Sequence, residues 1–376
     1  MDPEKKVLIL HASAGHGHEK AARAVEQACL DILPRAQVKC CDALTLTAGT
    51  FGKNYKGTYL FLIRYFPWLW GLAYYASDVP LLYFFIGPIR RLVNAFAAKR
   101  LAALILEEKP TVVIATHFLS VDVVSRLKQK RFCRARLVVV VTDFLAHSFW
   151  LAKEVDVYAV ASEETKEDLL RRGVPPQKIL VSGIPVEKKF TEAVSRAEAR
   201  NKLMLGEDRF TALITSGGAG VGSLEPLVSK FLNTGKPVQL LVVCGTNQDL
   251  LRRMQPIAEK NKQLRIFAFV DNIQELMAAS NLVIGKGGGL TVTESLCLGN
   301  PLVLFGSVPG QETRKARTLA RIGAARVAHS LDGVVRLTTD LMDSPALLKE
   351  CTSAALRLGR PKAAEQIVQA ALEFHE

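Results

Sequence analysis

Short apolar runs alternate with amphipathic helical patterns along the 376 residues of this chain. A buried strand, a loop and a helix with apolar positions three to four residues apart form the repeating pattern of parallel α/β proteins. In the first half the pattern predicts strands at 7–10, 38–41, 112–115, 137–141, 157–160 and 179–181. It predicts helices at 19–32, 89–107 and 163–172, of which the second is basic.

The second half repeats this organisation. Strands are predicted at 210–215, 238–244, 264–267, 282–284 and 301–305. The sequence therefore predicts the fold class α/β, with two Rossmann-like domains and a cleft between them. We place the first domain at 1–183, an interdomain linker at 184–208 and the second domain at 209–359. The final helix, about 360–376, is expected to pack back onto the first domain.

Composition narrows the class of partner and the compartment. Hydrophobic residues make up 49% of the chain, enough for sizeable cores, and the formal net charge of +13 indicates an anionic partner. The seven cysteines include no CxxC pair, which is typical of a reduced protein without disulfides or a zinc site. The apolar run at 7–10 is too short for the core of a signal peptide, so we expect a cytoplasmic protein.

Two glycine-rich loops follow strands in the second half, SGGAGVGS at 216–223 and KGGGLT at 286–291. Glycine lets the backbone approach a phosphate, and the N–H groups and dipole at a helix start favour its charge. Neither loop matches the P-loop motif, because Lys286 precedes its glycines. The loops predict a nucleotide site, and the alternative is a pair of tight turns without a ligand.

A third loop, Ser13-Ala14-Gly15-His16-Gly17-His18, follows the first strand. It could be a degenerate dinucleotide fingerprint, with Asp42 as the ribose-binding acid. Lys20 stands where that fingerprint has its third glycine, and two histidines crowd the turn. Histidine at a helix start suits proton transfer, although a single loop histidine is often only structural.

Other polar side chains gather after predicted strands. Thr116-His117 and Thr142-Asp143 stand at strand ends, with His147 and Trp150 just beyond. Their shared position predicts a substrate wall, and the alternative for each is a loop hydrogen bond. The chain has no HExxH or other metal-ligand spacing and no GxSxG, so we expect neither a metal site nor a serine nucleophile.

The region 51–96 is unusually aromatic, with 14 of the 27 aromatic residues of the chain. Residues 51–100 also carry seven Lys or Arg and one Asp. Arg64, Pro67, Asp78 and Pro80 interrupt the apolar run, so we predict no transmembrane helix. Aromatic surface beside cations suits an anionic bilayer, and a domain core is the alternative. Runs such as LLYFFIGPI suit hydrocarbon better than bases, so no nucleic acid is expected.

Several of these motifs resemble one known family. They are VLILHASAGHGHEKAARAV at the start, THF at 116–118, VVTDFLAHSFW at 140–150, SGIPV at 182–186, TSGGAGVG, and GKGGGLTVTESLCLGNPLVLFGSVPGQET. The chain resembles the monogalactosyldiacylglycerol synthases and processive diacylglycerol glucosyltransferases, GT-B glycosyltransferases of family 28. The resemblance covers residues 7 to about 320 and implies a UDP-sugar donor, a lipid acceptor and a peripheral position on the cytoplasmic face of the membrane.

The resemblance also assigns residues. It implies that His18 is the catalytic base. The donor site would comprise Gly217, Gly218, Phe269, Val270, Gly287, Gly288, Gly289, Leu290, Thr291, Glu294, Gln311 and Glu312. The acceptor side would comprise Gly17, His117, Asp143, His147 and Trp150. For the membrane surface, the composition of the aromatic region indicates Trp68, Trp70, Phe84, Phe85, Arg90 and Arg91.

Two positions depart from the family pattern. The usual GKPGG is GKGGG here, and Lys315 replaces the asparagine of PGQExxN, which could alter sugar preference. The family mechanism implies a single inverting displacement of glucose or galactose, with no metal or other cofactor. Three alternatives stay open: a UDP-GlcNAc 2-epimerase, a transferase with a different lipid-linked acceptor, and a non-catalytic lipid-binding protein.

Overall fold

A computed structural model describes residues 5–13, 16–47, 57–58, 61–62, 65–192, 194–206, 209–215, 224–307 and 310–373. At His16, Pro67, Pro80, Ala95, Phe96 and Gln311 it describes the backbone alone. The chain forms two compact units. The first is Met1–Glu187 with Pro309–Gln311 and Arg360–Glu376, and the second is Lys188–Val308 with Glu312–Gly359.

The first unit is built on a sheet of six parallel strands in the order β2-β1-β3-β4-β5-β6. Its strands are β1 (Lys6–His11), β2 (Gln37–Asp42), β3 (Val112–Ala115), β4 (Arg136–Val140), β5 (Val157–Val160) and β6 (Ile179–Val181). Alternate residues of these strands enter two separate hydrophobic clusters, for example Leu8 and Val113 in one, Ile9 and Ile114 in the other. Both faces of the sheet are therefore buried, as expected for a parallel sheet covered by helices.

Seven helices of this unit lie within the described residues. They are α1 (His16–Ile32), α2 (Pro67–Asp78), α3 (Pro80–Ala97), α4 (Lys99–Glu108), α5 (Phe118–Gln129), α6 (Glu163–Arg171) and α15 (Ala363–Leu372). Short 3-10 turns lie at Ser148–Trp150 and Pro176–Lys178. The last helix, α15, buries Ile367 and Val368 in the same cluster as Val25 of α1.

The predicted single helix over 89–107 is wrong. The structure has two helices there, α3 and α4, separated by the buried Ala98, whose backbone leaves the helical region at φ −101° and ψ 33°. The helix α3 begins earlier because Pro80 occupies its first turn, where a missing N–H costs nothing. The proline that interrupts the apolar pattern in the sequence thus starts a helix.

The second unit has its own six-stranded parallel sheet in the order β12-β11-β10-β7-β8-β9. The strands are β7 (Thr211–Thr215), β8 (Gln239–Val243), β9 (Leu264–Phe267), β10 (Leu282–Gly285), β11 (Leu302–Leu304) and β12 (Ala325–Val327). The helices are α7 (Arg196–Lys202), α8 (Leu224–Asn233), α9 (Gln248–Lys260), α10 (Ile273–Ala279), α11 (Gly289–Cys297), α12 (Gln311–Ile322), α13 (Leu331–Asp343) and α14 (Pro345–Leu358), with a 3-10 turn at Lys188–Phe190.

Residues 188–206, predicted as part of a linker, group with the second unit. A capping box between Ser195 and Glu198 begins α7. The buried guanidinium of Arg200 then donates hydrogen bonds to the carbonyl of Ala279 (3.0 Å) and to Asn281 Oδ1 (2.8 Å). These contacts fasten α7 to the end of α10 and to the residue that precedes β10, a central strand of the second sheet.

Candidate active site

His18 lies where three neighbouring strands of the first sheet end. It stands in the first turn of α1, which follows β1. Thr116 directly follows β3, and Thr142 lies two residues after β4. Because β1, β3 and β4 are adjacent parallel strands, their carboxyl ends bring these residues together despite sequence separations of 98 and 124.

Hydrogen bonds fix the ring of His18 and its tautomer. Nδ1 lies 2.7 Å from the carbonyl oxygen of Thr116 and 2.9 Å from the hydroxyl oxygen of Thr142. A carbonyl only accepts, so Nδ1 carries the proton and donates it to Thr116. In the neutral ring Nε2 is then the basic nitrogen. The hydroxyl of Thr116 also donates to the backbone carbonyl of His18 (2.9 Å), which holds the start of α1 at this strand end.

Two predicted acceptor-side residues contact the His18 ring. His117 packs edge-on, with ring centroids 4.8 Å apart, and Trp150 lies 6.3 Å away. Burial, followed by the neighbouring His18, holds the pKa of His117 well below its usual value, so His117 is neutral. Its Nδ1 accepts the N–H of Leu119 (3.2 Å) and caps α5. His117 therefore packs beside His18 as a neutral side chain that is held in one orientation.

The remaining acceptor-side residues have local partners. Gly17 lies in the first turn of α1, and the buried Asp143 accepts the N–H of Phe144 (2.8 Å). His147 caps the Ser148–Trp150 turn, since its Nδ1 accepts the N–H of Phe149 (3.1 Å), and its Nε2 donates to the carbonyl of Tyr74 (3.1 Å). The structure therefore groups His117 and Trp150 with His18 and joins His147 to α2.

A largely buried ion pair connects α2 to the same turn. Arg172 donates two hydrogen bonds to the carboxylate of Asp78, at 3.0 and 3.1 Å. The N–H of Ser148 also donates to Asp78, at 2.9 Å. Burial by itself would raise the pKa of this carboxyl, but these hydrogen bonds and the nearby His147 hold it well below the ordinary 3.8. Asp78 thereby anchors the turn that carries Trp150.

Sequence reasoning noted Thr116 and Thr142 without giving either a role at His18. The available signal was their position after β3 and β4, which places them at one edge of a parallel sheet. It could not show that a backbone carbonyl is the closest partner of His18 Nδ1.

In the second unit, the helix α11 begins shortly after the carboxyl end of β10. Its N-cap residue, Gly288, makes no side-chain capping hydrogen bond, and a Cβ there would meet nothing within 4 Å. The first N–H groups of a helix without a side-chain cap favour an anion. The preceding glycines are tightly enclosed: a Cβ on Gly285 would lie 2.6 Å from the carbonyl oxygen of Thr215, and one on Gly287 would lie 3.1 Å from that of Glu312.

The other predicted donor-site residues have contrasting environments. Phe269 is exposed and Val270 half-buried after β9, while Glu294 is 5% exposed on α11. Glu312, Leu290 and Thr291 are half-buried. Gly217 and Gly218 lie outside the described residues, as does the side chain of Gln311. Ser307, which the sequence did not single out, places its hydroxyl 3.3 Å from the Cβ position of Gly287. These donor-site assignments stay predictions.

Lys315, the departure from the family pattern, is 1% exposed on α12. Its side chain is therefore buried in the folded chain. A lysine in that position differs from asparagine in length as well as in charge, so the substitution changes the packing around this position.

The helices α2 and α3 expose much of their apolar surface. Trp68 is 65% exposed and Phe84 is 72% exposed, and Phe85 is similar. Among the described residues, the large hydrophobics exposed from 61 to 93 are Phe61, Tyr65, Phe66, Trp68, Leu69, Leu72, Tyr75, Val79, Leu81, Leu82, Phe84, Phe85, Ile86, Ile89, Leu92 and Val93. These side chains do not build a domain core. Trp70 is half-buried.

The prediction of Arg90 as a membrane-facing cation is wrong. Its guanidinium donates to Asp122 (3.1 Å) and to the carbonyl of Phe149 (3.3 Å), and it stacks 4.5 Å from the centre of the Phe149 ring. Burial of a guanidinium requires such partners, and Asp122 supplies the charge from α5. Arg91, the next residue, is exposed.

Within the described ranges, no three or more His, Cys, Asp or Glu side chains form a group that could hold a metal ion. In the same part of the chain no single helix is long and apolar enough to cross a membrane. One pair, Trp68–Asp78 with Leu81–Asn94, reaches that length and composition together, with a bend of 98° between its helices.

Comparisons of the fold define the class. MurG from Acinetobacter baumannii is similar with a TM-score of 0.62 and 16% identity, covering 98% of this chain and 99% of that one. S. aureus MnaA, solved with UDP, is similar with a TM-score of 0.64 and 13% identity, covering 97% of this chain and 95% of that one. A UDP-GlcNAc 2-epimerase from Neisseria meningitidis has a TM-score of 0.61 and 13% identity, covering 98% of this chain and 99% of that one. The protein has the GT-B fold, which transferases and epimerases share.

Sequence comparisons then identify the family. Residues 18–186 match monogalactosyldiacylglycerol (MGDG) synthase, and residues 211–367 match the glycosyltransferase family 28 C-terminal domain. The Bacillus cytotoxicus protein named processive diacylglycerol beta-glucosyltransferase is 32% identical over 370 residues, covering 98% of this chain and 93% of that protein. A Bacillus cereus protein of the same name is also 32% identical, over 369 residues, with the same shares covered. The chain belongs to this family of glycolipid-synthesising hexosyltransferases, which resolves the choice between transferase and epimerase.

Proposed function

We propose that the protein transfers glucose or galactose from a UDP-sugar to diacylglycerol at the cytoplasmic face of a membrane, with inversion at the anomeric carbon. The observation that carries the proposal is the orientation of His18. Its Nδ1–H is committed to the carbonyl of Thr116, which makes Nε2 the atom that can take a proton.

In this reaction His18 Nε2 accepts the proton of the acceptor hydroxyl. The hydroxyl oxygen forms a bond to the anomeric carbon as the bond from that carbon to the UDP oxygen breaks. The developing imidazolium keeps its Nδ1–H bond to Thr116, so the ring does not have to rotate during the transfer. His18 then returns the proton to solvent.

The departing diphosphate would lie at the start of α11. Its first N–H groups, beside Gly287 and Gly288, supply partial positive charge where the leaving group becomes more negative. Phe269 offers an exposed ring for the uracil, and Glu294 offers a carboxylate for the ribose hydroxyls. Because backbone N–H groups take up the charge in this scheme, we expect transfer to continue in the presence of EDTA.

The acceptor proposal is supported by the family and by the exposed surface of α2 and α3. The relatives in Bacillus are named for diacylglycerol. Diacylglycerol resides in a bilayer, and apolar helices joined to the Ser148–Trp150 turn would bring His18 to the membrane surface. This position makes the protein a peripheral membrane enzyme.

The test is direct. The purified protein is incubated with UDP-glucose or UDP-galactose and vesicles containing diacylglycerol, and the glycolipid is analysed by proton NMR. We expect one donor to be preferred and the product to be a β-glycoside, since UDP-hexoses are α-linked. An α-glycoside would overturn the single inverting displacement, and transfer only to another lipid would overturn the choice of acceptor.

A further inference from the structure

A groove lies between α4 and α5, away from the His18 cluster. Its volume is about 320 Å³, and its lining consists of Lys99, Ala102, Leu106, Val123, Arg126, Leu127, Lys130 and Phe132. The lining from α5 begins at Val123 in the middle of that helix, whereas His117 caps its first turn. No role in donor or acceptor binding has been assigned to any of these residues.

The floor of this α4–α5 groove is apolar. Val123 and Leu127 are buried at its base, and Ala102 is half-buried. Leu106 is 40% exposed and Phe132 is 65% exposed. Apolar side chains arranged along a groove are stabilised by an apolar occupant, because each square ångström removed from water contributes about 25 cal/mol.

The rim of the groove is cationic. Lys99, Arg126 and Lys130 line it, and no acidic residue does. Residues 126–136 include six Lys or Arg and no Asp or Glu. Of these, Lys128 pairs with Asp156, while Arg126 and Lys130 form no ion pair with any residue that the structure describes. The rim therefore fits an anionic group.

The helix α4, which lines one side of the groove, directly follows the apolar helix α3 in the chain. Lys99 begins α4 directly after Ala98, and the side chains of Leu92 and Val93 are exposed near the end of α3. If α2 and α3 contact the bilayer, a lipid from the same leaflet can reach the groove without leaving the membrane surface.

We propose that the α4–α5 groove binds one anionic glycerophospholipid of the bilayer. Its phosphate lies among Lys99, Arg126 and Lys130, and part of an acyl chain lies over Leu106, Leu127 and Phe132. Diacylglycerol carries no phosphate, so the cationic rim distinguishes this site from that of the acceptor. The inference rests on the proposed membrane function, to which it adds a second lipid that anchors and orients the enzyme.

The test uses dihexanoylphosphatidylglycerol below its micellar concentration and full-length protein, with binding measured by calorimetry. Two variants address the two parts of the groove: Arg126→Gln with Lys130→Gln removes charge from the rim, and Ala102→Phe fills the floor. The matched control is Arg35→Gln with Lys362→Gln, which removes two exposed cations elsewhere in the same unit. Affinity for UDP is measured for each variant.

We expect the rim variant to bind the lipid about 30-fold more weakly, from the usual contribution of two cations to anionic-lipid binding. Ala102→Phe should weaken it at least severalfold, and the control should match the wild type. Dihexanoylphosphatidylcholine and glycerol 3-phosphate should bind more weakly than the anionic lipid.

Three results would overturn the inference: no binding by the wild-type protein, equal losses in the rim variant and the control, or binding of glycerol 3-phosphate as tight as that of the lipid. The UDP measurement separates this outcome from the proposed function. If the protein binds no UDP but the groove variants behave as expected, the donor proposal fails and the lipid site stands.

Discussion

At the scale of single residues, the geometry around His18 explains how one ring can act as a base without moving. The Thr116 carbonyl and the Thr142 hydroxyl both meet Nδ1, and His117 packs against the side of the ring. Each of these groups is set by a strand end or a helix cap, so the ring is held before any substrate binds. A preorganised base avoids the cost of reorientation at the moment of proton transfer.

The first prediction is that His18→Ala removes most of the transfer activity but leaves UDP affinity within a few-fold. A positioned general base typically contributes about 10²- to 10⁴-fold in rate, so turnover should fall by that amount. Rates are measured with vesicle-embedded diacylglycerol, and UDP affinity by calorimetry. His329→Ala, an exposed histidine of the second unit, serves as the control. Near wild-type turnover in His18→Ala would give His18 a structural role only.

The second prediction concerns Glu294, a nearly buried carboxylate on α11. Its replacement by alanine should weaken UDP binding by about 10- to 100-fold, since a hydrogen bond to a charged group contributes on the order of 1.5–3 kcal/mol. Calorimetry with UDP measures the change, and Glu259→Ala, an exposed glutamate of the same unit, controls for loss of charge. A thermal melt confirms that the variant is folded. Unchanged affinity in a folded Glu294→Ala protein would remove Glu294 from the donor site.

Sequence alone singled out some residues of the candidate site and misassigned another. The glycines and histidines after β1 indicated a loop suited to proton transfer, and the family resemblance assigned the role of base to His18. Composition alone assigned Arg90 to the membrane, because it lies in an aromatic, basic segment. Its partners Asp122 and Phe149 are 32 and 59 residues away, and such pairing depends on how helices and loops pack. The composition of the segment around Arg90 does not indicate such long-range pairing.

At the scale of elements, the buried parallel strands were the most predictable parts of the fold. Four strands match the prediction residue for residue, at 112–115, 157–160, 179–181 and 264–267. Short apolar runs bounded by turn residues are typical of fully buried strands. The strand β12 and the helices α2, α5, α12, α13 and α14 were not predicted. The bounds of α3 and α4 were misread because Pro80 was taken as an interruption rather than as a first-turn residue, and because the helix breaks at an alanine, Ala98, which gives no stop signal.

The third prediction addresses the element that joins α2 to the catalytic turn. The pKa of Asp78 in the folded protein lies below its ordinary value of 3.8. Ionised Asp78 therefore stabilises the folded state fully at pH values above 3.8, and this stabilisation is lost as the pH falls from 3.8 towards the folded-state pKa. Asp78→Asn should therefore lower the unfolding free energy at pH 7, on the order of 3 kcal/mol for a largely buried ion pair. The difference from wild type should shrink at pH 3.

Urea midpoints at pH 7 and pH 3 measure this effect on the first unit. Glu107→Gln, an exposed acid on α4, is the matched control and should show no comparable loss. Because Asp78 also accepts the N–H of Ser148, transfer activity should fall along with stability in Asp78→Asn. A variant as stable as wild type at pH 7 would show that Arg172 finds an equivalent partner without Asp78.

At the scale of the whole molecule, charge and apolar surface are concentrated in one region. Residues 51–100 carry seven of the basic residues and one acid, nearly half of the net charge of +13. The structure separates their roles: Arg90 is paired inside the first unit, whereas Arg91 and Arg100 are exposed close to the apolar face of α3. The combination of exposed cations with exposed aromatic rings suits an anionic bilayer better than either does alone.

The last prediction separates the two contributions to membrane binding. The protein should sediment with anionic vesicles and poorly with neutral ones, and high salt should weaken the binding, because screening acts on charges but not on inserted apolar groups.

Phe84→Ser with Phe85→Ser should remove the salt-resistant part of the binding and reduce vesicle affinity at least about tenfold, from the transfer free energy of two aromatic side chains. Leu30→Ser with Met204→Ser, two exposed hydrophobics elsewhere, is the matched control and should bind as the wild type does. Activity on vesicle-embedded acceptor should fall in the Phe84 and Phe85 variant while UDP affinity is retained. Equal sedimentation with neutral and anionic vesicles would contradict the electrostatic part, and full binding by the double serine variant would show that α3 is not the membrane face.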